Sequence, residues 1–123
     1  MTDALGPYDQ AATAVIRAQF KATPIVSPAF VLTVVDGPDV GKSFRVDDGA
    51  GRRVLVGQSP VCEVRLSDKT VSRRHVALEV EGAALRIVDQ GSSNGTSVSG
   101  VRVRDAYLRN GELVVIGSTT LRV

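Results

Sequence analysis

The sequence predicts an all-β protein built as a β-sandwich. Three observations favour this fold class. Apolar and polar residues alternate in short runs, most clearly over His75–Glu81, where every second residue is apolar. Turn-forming pairs such as Asp48-Gly49 and Asn110-Gly111 separate the runs. Valine is abundant, while aromatic residues make up only 4% of the chain and tryptophan is absent, so the core must be aliphatic.

The chain from residue 29 onward divides into strands at close intervals, as expected for a sandwich of two antiparallel sheets with about 10–11 short strands. The runs before the polar segment at residues 72–75 each end at a turn rich in Gly, Pro or Asp: Phe30–Val35, Ser43–Val46, Arg53–Gly57 and Glu63–Leu66. The later runs are separated by turns containing Gly or Ser: His75–Glu81, Ala84–Asp89, Thr96–Val98, Val101–Val103, Leu113–Ile116 and Thr119–Val123.

Residues 1–28 have a different pattern. Apolar residues within Asp9–Lys21 fall near helical spacing, which indicates a short helix. Thr23–Pro28 contains two prolines and is predicted to be an extended linker, because each proline disfavours helix at the preceding residue. We therefore predict a flexible or partly helical N-terminal arm at 1–28 and one β-rich domain at 29–123.

Composition excludes several function classes. The net charge is +2, from 15 basic and 13 acidic residues, which gives no bulk electrostatic reason for direct nucleic-acid binding. The single cysteine, Cys62, excludes an internal disulfide or a thiolate-rich zinc site and is expected to be a half-buried strand residue. Neither a signal peptide nor a long apolar run is present, so we expect a cytoplasmic protein with no membrane partner, metal or cofactor.

Two polar segments between predicted strands carry the chemistry. Ser72–His75 (SRRH) and Asp89–Thr96 (DQGSSNGT) together supply hydroxyls, an amide, guanidiniums and backbone N–H groups next to glycine. These groups suit an oxyanion, and they lie on loops, where binding residues are concentrated. We expect the two loops to converge into one anion-binding surface that contains Ser72 and Asn94.

Taken with Gly57–Pro60, these segments resemble the signature of the forkhead-associated (FHA) domain, a reader of phosphothreonine peptides. The resemblance covers residues 30–123 and includes a closing segment, Leu108–Gly117, that is similar to the family's L-x-x-G-D-x-I-x-x-G pattern. It implies an FHA-like (SMAD/FHA) sandwich, no enzymatic activity and a phosphothreonine-containing protein or peptide as partner.

The resemblance also implies roles for individual residues. Ser72 would donate its hydroxyl to the phosphate, and Arg73 would contact phosphate or peptide. Ser93 would donate through its side chain or backbone, and Asn94 would hold the peptide main chain. The implied structural residues are Gly57, His75, which braces one loop against its neighbour, and Gly95, which is expected to have a positive φ.

One position departs from the family pattern. The family usually has Gly-Arg where this chain has Gly57-Gln58, and that arginine is its main phosphate cation. Gln58 donates only neutral hydrogen bonds, and a lost charge-assisted bond costs about 1.5–3 kcal/mol. Compensation is expected from a neighbouring arginine, with candidates Arg73, Arg74, Arg52 and Arg53. The alternative is a phosphate-independent scaffold or dimerisation module in which Ser67, Ser72 and Ser93 are ordinary turn serines.

Gly37–Ser43 (GPDVGKS) resembles a P-loop but has three residues between its glycines where that motif needs four. A strand pattern follows it rather than a helix, so we interpret it as a hairpin connection. With the one histidine assigned to structure and no metal-ligand cluster in the sequence, nothing indicates an enzyme.

An N-terminal arm followed by an FHA domain resembles the sensory part of bacterial enhancer-binding transcriptional activators. That resemblance implies a role in transcription regulation, with ATPase and DNA-binding domains outside this chain. The other setting that we consider is a partner in kinase or secretion-system signalling. Thr13 and Thr23 in the arm are candidate intramolecular ligands once phosphorylated.

Overall fold

The computed structural model describes residues 29–47 and 53–123, and within those ranges the chain forms eleven strands and no helix. The predicted arm at 1–28 lies outside the described residues. The strands are β1 Ala29–Asp36, β2 Ser43–Asp47, β3 Arg53–Gly57, β4 Val64–Arg65, β5 Val76–Glu81, β6 Ala84–Asp89, β7 Thr96–Val98, β8 Val101–Val103, β9 Asp105–Leu108, β10 Leu113–Ile116 and β11 Thr119–Arg122.

The strands form two sheets, which confirms the predicted sandwich. The five-stranded sheet has the order β9-β6-β5-β3-β4, and the six-stranded sheet has the order β2-β1-β11-β10-β7-β8. One pair corrects the expectation of wholly antiparallel sheets, because β4 runs parallel to β3 and pairs Val64 with Val56 and Arg65 with Gly57. The connection between them, residues 58–63, contains a turn in which the Cys62 N–H donates to the Ser59 carbonyl at 3.0 Å.

The core is aliphatic, as the composition predicts. The inward residues of both sheets are Val, Leu and Ile, and several are completely inaccessible to solvent: Val46, Val56, Val76, Leu85, Val114 and Ile116. Phe30 and Phe44 are only partly buried and pack against the edge of this cluster. Alternation within each strand turns one face toward the other sheet, so the loops at the strand ends are left for binding.

Strand β9 is the element that the sequence prediction missed. Asp105–Leu108 contains an acid, an alanine and an exposed tyrosine, so its pattern is weak. It forms because β6 offers a free edge, with which it pairs from Asp105 opposite Val88 to Leu108 opposite Leu85. Ala106 and Leu108 then face the core. Tertiary pairing therefore outweighed a poor local propensity.

The P-loop-like segment is a hairpin connection between β1 and β2, as predicted. The Gly41 N–H donates to the Val34 carbonyl at 2.9 Å, and the Val40 N–H donates to the Gly37 carbonyl at 3.2 Å. Asp39 is 4% exposed and accepts hydrogen bonds from the N–H and the hydroxyl of Ser67, at 2.7 and 2.9 Å. The connection therefore anchors the start of the loop that leads to Ser72.

Cys62 differs from its prediction in place and in burial. It lies in the connection between β3 and β4 rather than on a strand, and it is 6% exposed. Its Sγ donates to the Arg73 carbonyl at 3.2 Å. Burial raises the pKa of the Cys62 thiol, so the group stays protonated and serves as a donor to the Arg73 backbone.

Candidate functional site

The two polar loops lie side by side at one end of the sandwich. One loop, residues 66–75, connects β4 to β5, and the other, residues 90–95, connects β6 to β7. The Ser93 N–H donates to Ser72 Oγ at 3.0 Å. Asn94 Nδ2 donates to the Thr70 carbonyl at 2.7 Å. The structure therefore brings Ser72, Ser93 and Asn94 together.

His75 joins the two loops from beneath. Its side chain is completely buried, Nδ1 lies 3.0 Å from the Ser72 nitrogen, and Nε2 lies 2.8 Å from the Gly95 carbonyl oxygen. Because the Ser72 N–H can only donate and the Gly95 carbonyl can only accept, the ring is neutral with its proton on Nε2. The imidazole ties Ser72 to the second loop and has no free nitrogen for catalysis.

Gly95 adopts a φ of +79°, the left-handed conformation that its role predicts. Its Cα also faces the Arg102 side chain of β8, because a Cβ built there would lie 2.6 Å from Arg102 Nη2. A side chain at this position would therefore meet backbone strain, and the flexible end of the Arg102 side chain would have to shift. Glycine allows the second loop to turn sharply between Asn94 and the first residue of β7.

Gly57 allows the backbone of the first loop to lie against the end of β3. A Cβ at Gly57 would lie 2.2 Å from the Arg73 carbonyl oxygen. The neighbouring N–H groups use this proximity: Gln58 N–H donates to the Ser72 carbonyl at 3.1 Å, and Ser59 N–H donates to the Arg73 carbonyl at 3.0 Å. The orientation of Ser72 and Arg73 is thus fixed by backbone contacts that only glycine at position 57 permits.

Asp68 braces the first loop from inside. Its carboxylate is 3% exposed and accepts from the N–H and hydroxyl of Thr70, at 2.8 and 2.6 Å, and from the Thr119 hydroxyl at 2.7 Å. The Ser118 N–H donates to it at 3.0 Å. Burial alone would raise the pKa of Asp68, but these hydrogen bonds outweigh burial and lower it. An ionised Asp68 therefore connects the site to the β10–β11 turn.

Asp89 has the same role in the second loop. It accepts from the Ser92 hydroxyl at 2.6 Å, from the Thr96 hydroxyl at 2.7 Å, and from the N–H groups of Gly91 and Ser92, both at 2.8 Å. Burial opposes ionisation, but the bonds from Ser92, Thr96 and Gly91 more than offset it and lower the pKa of Asp89 to about 2. The Gly95 N–H in turn donates to the Ser92 hydroxyl at 2.9 Å.

The candidate cations separate into two groups. Arg73 and Arg74 are exposed, and neither guanidinium has an ion-pair partner among residues 29–47 and 53–123. Arg53 pairs instead with Glu79 at 3.6 Å and donates to Gln90 at 2.9 Å, so it is not available to the site. Arg52 lies outside the described residues. Among the described candidates, Arg73 and Arg74 are therefore the ones available to compensate for Gln58, and Arg52 stays a prediction.

The Gln58 side chain forms an intramolecular hydrogen bond. Its Nε2 donates to the Asp68 carbonyl at 2.8 Å, which holds the first loop close to the end of β3. One amide proton and the amide oxygen of Gln58 have no hydrogen-bond partner in the described part of the chain. The residue therefore adds a brace at the position where the family usually has its phosphate cation.

Sequence reasoning missed the braces of the site. Asp68, Thr70, Asp89 and Thr96 hold the loops, yet none was singled out as a site residue. A local signal was present, because an Asp followed two or three residues later by Ser, Thr or Gly is typical of a turn in which the carboxylate caps backbone N–H groups. The partners of Asp68 in the β10–β11 turn are distant in sequence and had no such signal.

Chemically, the site is a surface rich in hydrogen-bond donors. Asp68 and Asp89 are both occupied by internal donors, while the hydroxyl of Ser93 and the guanidinium of Arg73 are exposed. Within the described residues no group of three His, Cys, Asp or Glu side chains is placed to hold a metal ion. In the same ranges no helix is long and apolar enough to cross a membrane.

Comparison with known proteins identifies the family. A family described as "Inner membrane component of T3SS, cytoplasmic domain", which is FHA-like, matches residues 33–123. The FHA domain of CT664 from Chlamydia trachomatis superposes with a TM-score of 0.70 at 30% identity, over 76% of this chain and 94% of that one. The chain belongs to the FHA family. A second solved structure, from work on phosphothreonine-dependent FHA domain interactions, gives a TM-score of 0.68 at 26% identity over 79% of this chain and 94% of that one.

Curated relatives of this FHA domain are regulators by name. The glycogen accumulation regulator GarA of Mycobacterium tuberculosis is 35% identical over 120 residues, which are 97% of this chain and 72% of that protein. GarA of Mycolicibacterium smegmatis is 39% identical over 95 residues, which are 77% of this chain and 58% of that protein. The match thus spans between about half and three quarters of the length of these relatives.

Proposed function

We propose that this FHA domain binds a phosphothreonine segment of a partner protein and acts as a non-catalytic module in signalling. The contact between Ser93 N–H and Ser72 Oγ, at 3.0 Å, is the observation that carries the proposal. It brings two loops together and occupies a lone pair of the Ser72 oxygen, while the hydroxyl proton stays available. Ser72, Ser93 and the Arg73 guanidinium would then donate to the phosphate oxygens.

The chemistry of phosphothreonine fits these donors. The phosphate carries about −1.5 to −2 charges at neutral pH and three acceptor oxygens. Bonds from a guanidinium to such an anion are about twice as strong as neutral hydrogen bonds. Asn94 has one uncommitted amide proton and its carbonyl oxygen, which would pair with the main chain on either side of the phosphothreonine.

Pre-organisation adds to this argument. His75, Asp68 and Asp89 fix both loops through buried or half-buried hydrogen bonds, so little loop ordering would be required when a ligand binds. Neutral donors hold Asp68 and Asp89 inside the loops, so neither carboxylate takes a cation of the site as its partner. The names of the relatives, and a solved neighbour from work on phosphothreonine-dependent interactions, support the same class of function.

The setting of the domain is part of the proposal. We infer a cytoplasmic regulator, which agrees with relatives that are named as regulators of glycogen accumulation. Transcription regulation, with ATPase and DNA-binding domains outside this chain, stays a prediction from the sequence. The phosphothreonine belongs either to a second protein or to this chain, at Thr13 or Thr23. If the ligand is internal, a preparation phosphorylated at one of these threonines will no longer bind an added phosphopeptide.

The direct test is isothermal titration of the full chain with a phosphothreonine peptide selected from an oriented pool. We expect binding in the micromolar range, and no heat from the same peptide without phosphate. Equal binding of the two peptides would contradict the proposal and favour the phosphate-independent scaffold.

Substitutions at the site sharpen that test. Ser72→Ala and Asn94→Ala should each weaken binding about tenfold to a hundredfold, because each removes donors to a charged or main-chain group. Ser43→Ala is the matched control, since within the described residues the Ser43 hydroxyl, on the edge strand β2, forms a hydrogen bond only with Thr33 of β1. Full affinity in both site variants would show that the ligand binds elsewhere.

Position 58 separates a working site from a degenerate one. Gln58→Arg removes the amide donor to the Asp68 carbonyl but adds the cation that the family usually has. A gain of up to about tenfold over a measurable parent affinity supports the proposal. Binding that appears only in the variant would mean that the parent chain has lost phosphate recognition.

A further inference from the structure

A second polar concavity adjoins the site on its Gln58 side. It has a volume of about 380 Å³ and is lined by Gln58, Arg65, Leu66, Ser67 and Lys69. Gln58 belongs to both places, because its N–H donates to the Ser72 carbonyl at 3.1 Å while its side chain borders the concavity. A peptide bound at Ser72 would therefore have neighbouring residues within reach of this surface.

Arg65 is held at the rim by local structure. The parallel pairing of β4 with β3 places it opposite Gly57. Its Nε donates to the Gln58 carbonyl at 2.9 Å, which fixes the base of the guanidinium. Its two terminal nitrogens have no hydrogen-bond or ion-pair partner in the ranges that the structure describes. This geometry orients a cation without neutralising it.

The rest of the lining adds charge and contains no acid. Lys69 is exposed, and its ammonium group forms no ion pair with any described residue. Two carboxylates of neighbouring segments are held by other donors: Asp68 accepts from Thr70, Ser118 and Thr119, and Asp39 accepts from Ser67 and Lys42. Two positive charges that have no ion-pair partner among the described residues thus share one concave surface.

We propose that this concavity is a second anion subsite, which binds a carboxylate or a second phosphate carried by the same ligand a few residues from the phosphothreonine. The inference rests on the proposed function. Gln58 is neutral where the family usually has an arginine, so the positive charge on this side of the site is carried by Arg65 and Lys69. The preferred ligand is then a phosphothreonine with an acidic neighbour.

The test compares three kinds of fluorescent peptide by anisotropy with the full chain. One has a single phosphothreonine and neutral flanks, the second has Asp placed in turn at each flanking position, and the third has a second phosphothreonine at the best of those positions. We expect about a fivefold to tenfold gain from Asp at one or two positions. The relative gain of the third peptide shows whether a carboxylate or a phosphate is preferred, and the gains should shrink as salt is added.

Two variants and a control test whether the gain in affinity from an acidic flank depends on the concavity. Lys69→Gln and Arg65→Gln should each remove most of the advantage of the acidic peptide. Arg122→Gln, an equal change of charge at the exposed end of β11, should keep that advantage. The Lys69 side chain forms no hydrogen bond or ion pair with any described residue, so its variant decides the matter even if Arg65→Gln is poorly folded in a thermal melt.

Different binding results would contradict the second subsite and the phosphothreonine site. If the neutral-flank peptide binds but acidic flanks add nothing, the second subsite does not exist and the phosphothreonine site stands. The subsite is also refuted if Lys69→Gln keeps the full gain, or if Arg122→Gln loses it equally, since general electrostatics would then explain the effect. If no peptide binds, both proposals are wrong.

Discussion

Two regions of this FHA domain use charged residues in opposite ways. On the outer face of the five-stranded sheet, Arg86 pairs with Asp105 at 2.6 Å and with Glu81 at 3.0 Å, and Tyr107 donates to Glu81 at 2.9 Å. The hydrogen bond from Arg86 lowers the pKa of both Asp105 and Glu81. Cations and acids there neutralise each other on the surface.

At the candidate site the acids have different partners. Asp68 and Asp89 accept from hydroxyl and backbone N–H donors inside the loops. Arg73, Arg74 and Lys69 are left without ion pairs among the described residues. The difference teaches that carboxylates can hold a loop in place without forming ion pairs with its cations, provided that neutral hydrogen-bond donors satisfy the carboxylates. A surface meant for an anionic ligand requires that arrangement.

The largest expected effect comes from disturbing the backbone contact under the site. Gly57→Ala would place a Cβ 2.2 Å from the Arg73 carbonyl oxygen, and neither strand nor loop can move without losing hydrogen bonds. We expect a loss of at least about 3 kcal/mol in the free energy of unfolding. Denaturant titration measures it.

Gly82→Ala is the control for that substitution. Gly82 has a φ of +59° in the β5–β6 turn, with nothing within 4 Å of a built Cβ. It should lose only about 1 kcal/mol, from backbone strain. Equal losses in the two variants would mean that the Gly57 contact is not needed to fix Ser72 and Arg73.

A smaller effect is expected from the brace of the second loop. Because the pKa of Asp89 is about 2 in the folded chain against an ordinary 3.8, its ionised form stabilises the fold fully above about pH 4. That contribution is lost as the pH falls from about 4 to about 2. Asp89→Asn should cost about 1–3 kcal/mol at neutral pH and flatten this part of the stability profile. Urea unfolding between pH 2 and 7 checks both results.

The smallest effect is expected on the outer face of the five-stranded sheet. Arg86→Gln breaks bonds to Asp105 and Glu81, but solvent screens these exposed groups. We expect the unfolding midpoint to fall by less than about 5 °C and phosphopeptide affinity to stay unchanged. If Arg86→Gln instead lost much of its phosphopeptide affinity while Asp89→Asn kept its affinity, the proposed difference between the two regions would be wrong.

Much of the fold could be predicted because its signals are local. Alternation and turn pairs identified ten of the eleven strands. The hairpin at Gly37–Lys42 was predicted because the segment has one residue too few between its glycines for a P-loop. β9 was missed because its formation depends on the free edge of β6. The parallel direction of β4 was missed because two residues carry no signal of strand direction.

The residue types of the site could also be predicted from the sequence, but their hydrogen-bond and ion-pair partners could not. Ser72, Ser93 and Asn94 stand in a recognisable motif, and the contact between their loops is present in the structure. Nothing in the sequence showed that Arg53 pairs with Glu79 across β3 and β5, or that Gln58 donates to the Asp68 carbonyl. Those partners are set by strand register and loop packing.

By itself, the sequence determined an aliphatic β-sandwich, its turn positions and the donors at one end, because periodicity and turn chemistry act between near neighbours. Only the tertiary structure decided which charges stay free. Asp68 reaches the β10–β11 turn about fifty residues away, and His75 reaches Gly95 twenty residues on. Such contacts form only after the sheets have packed, since distant residues meet through the register of intervening strands.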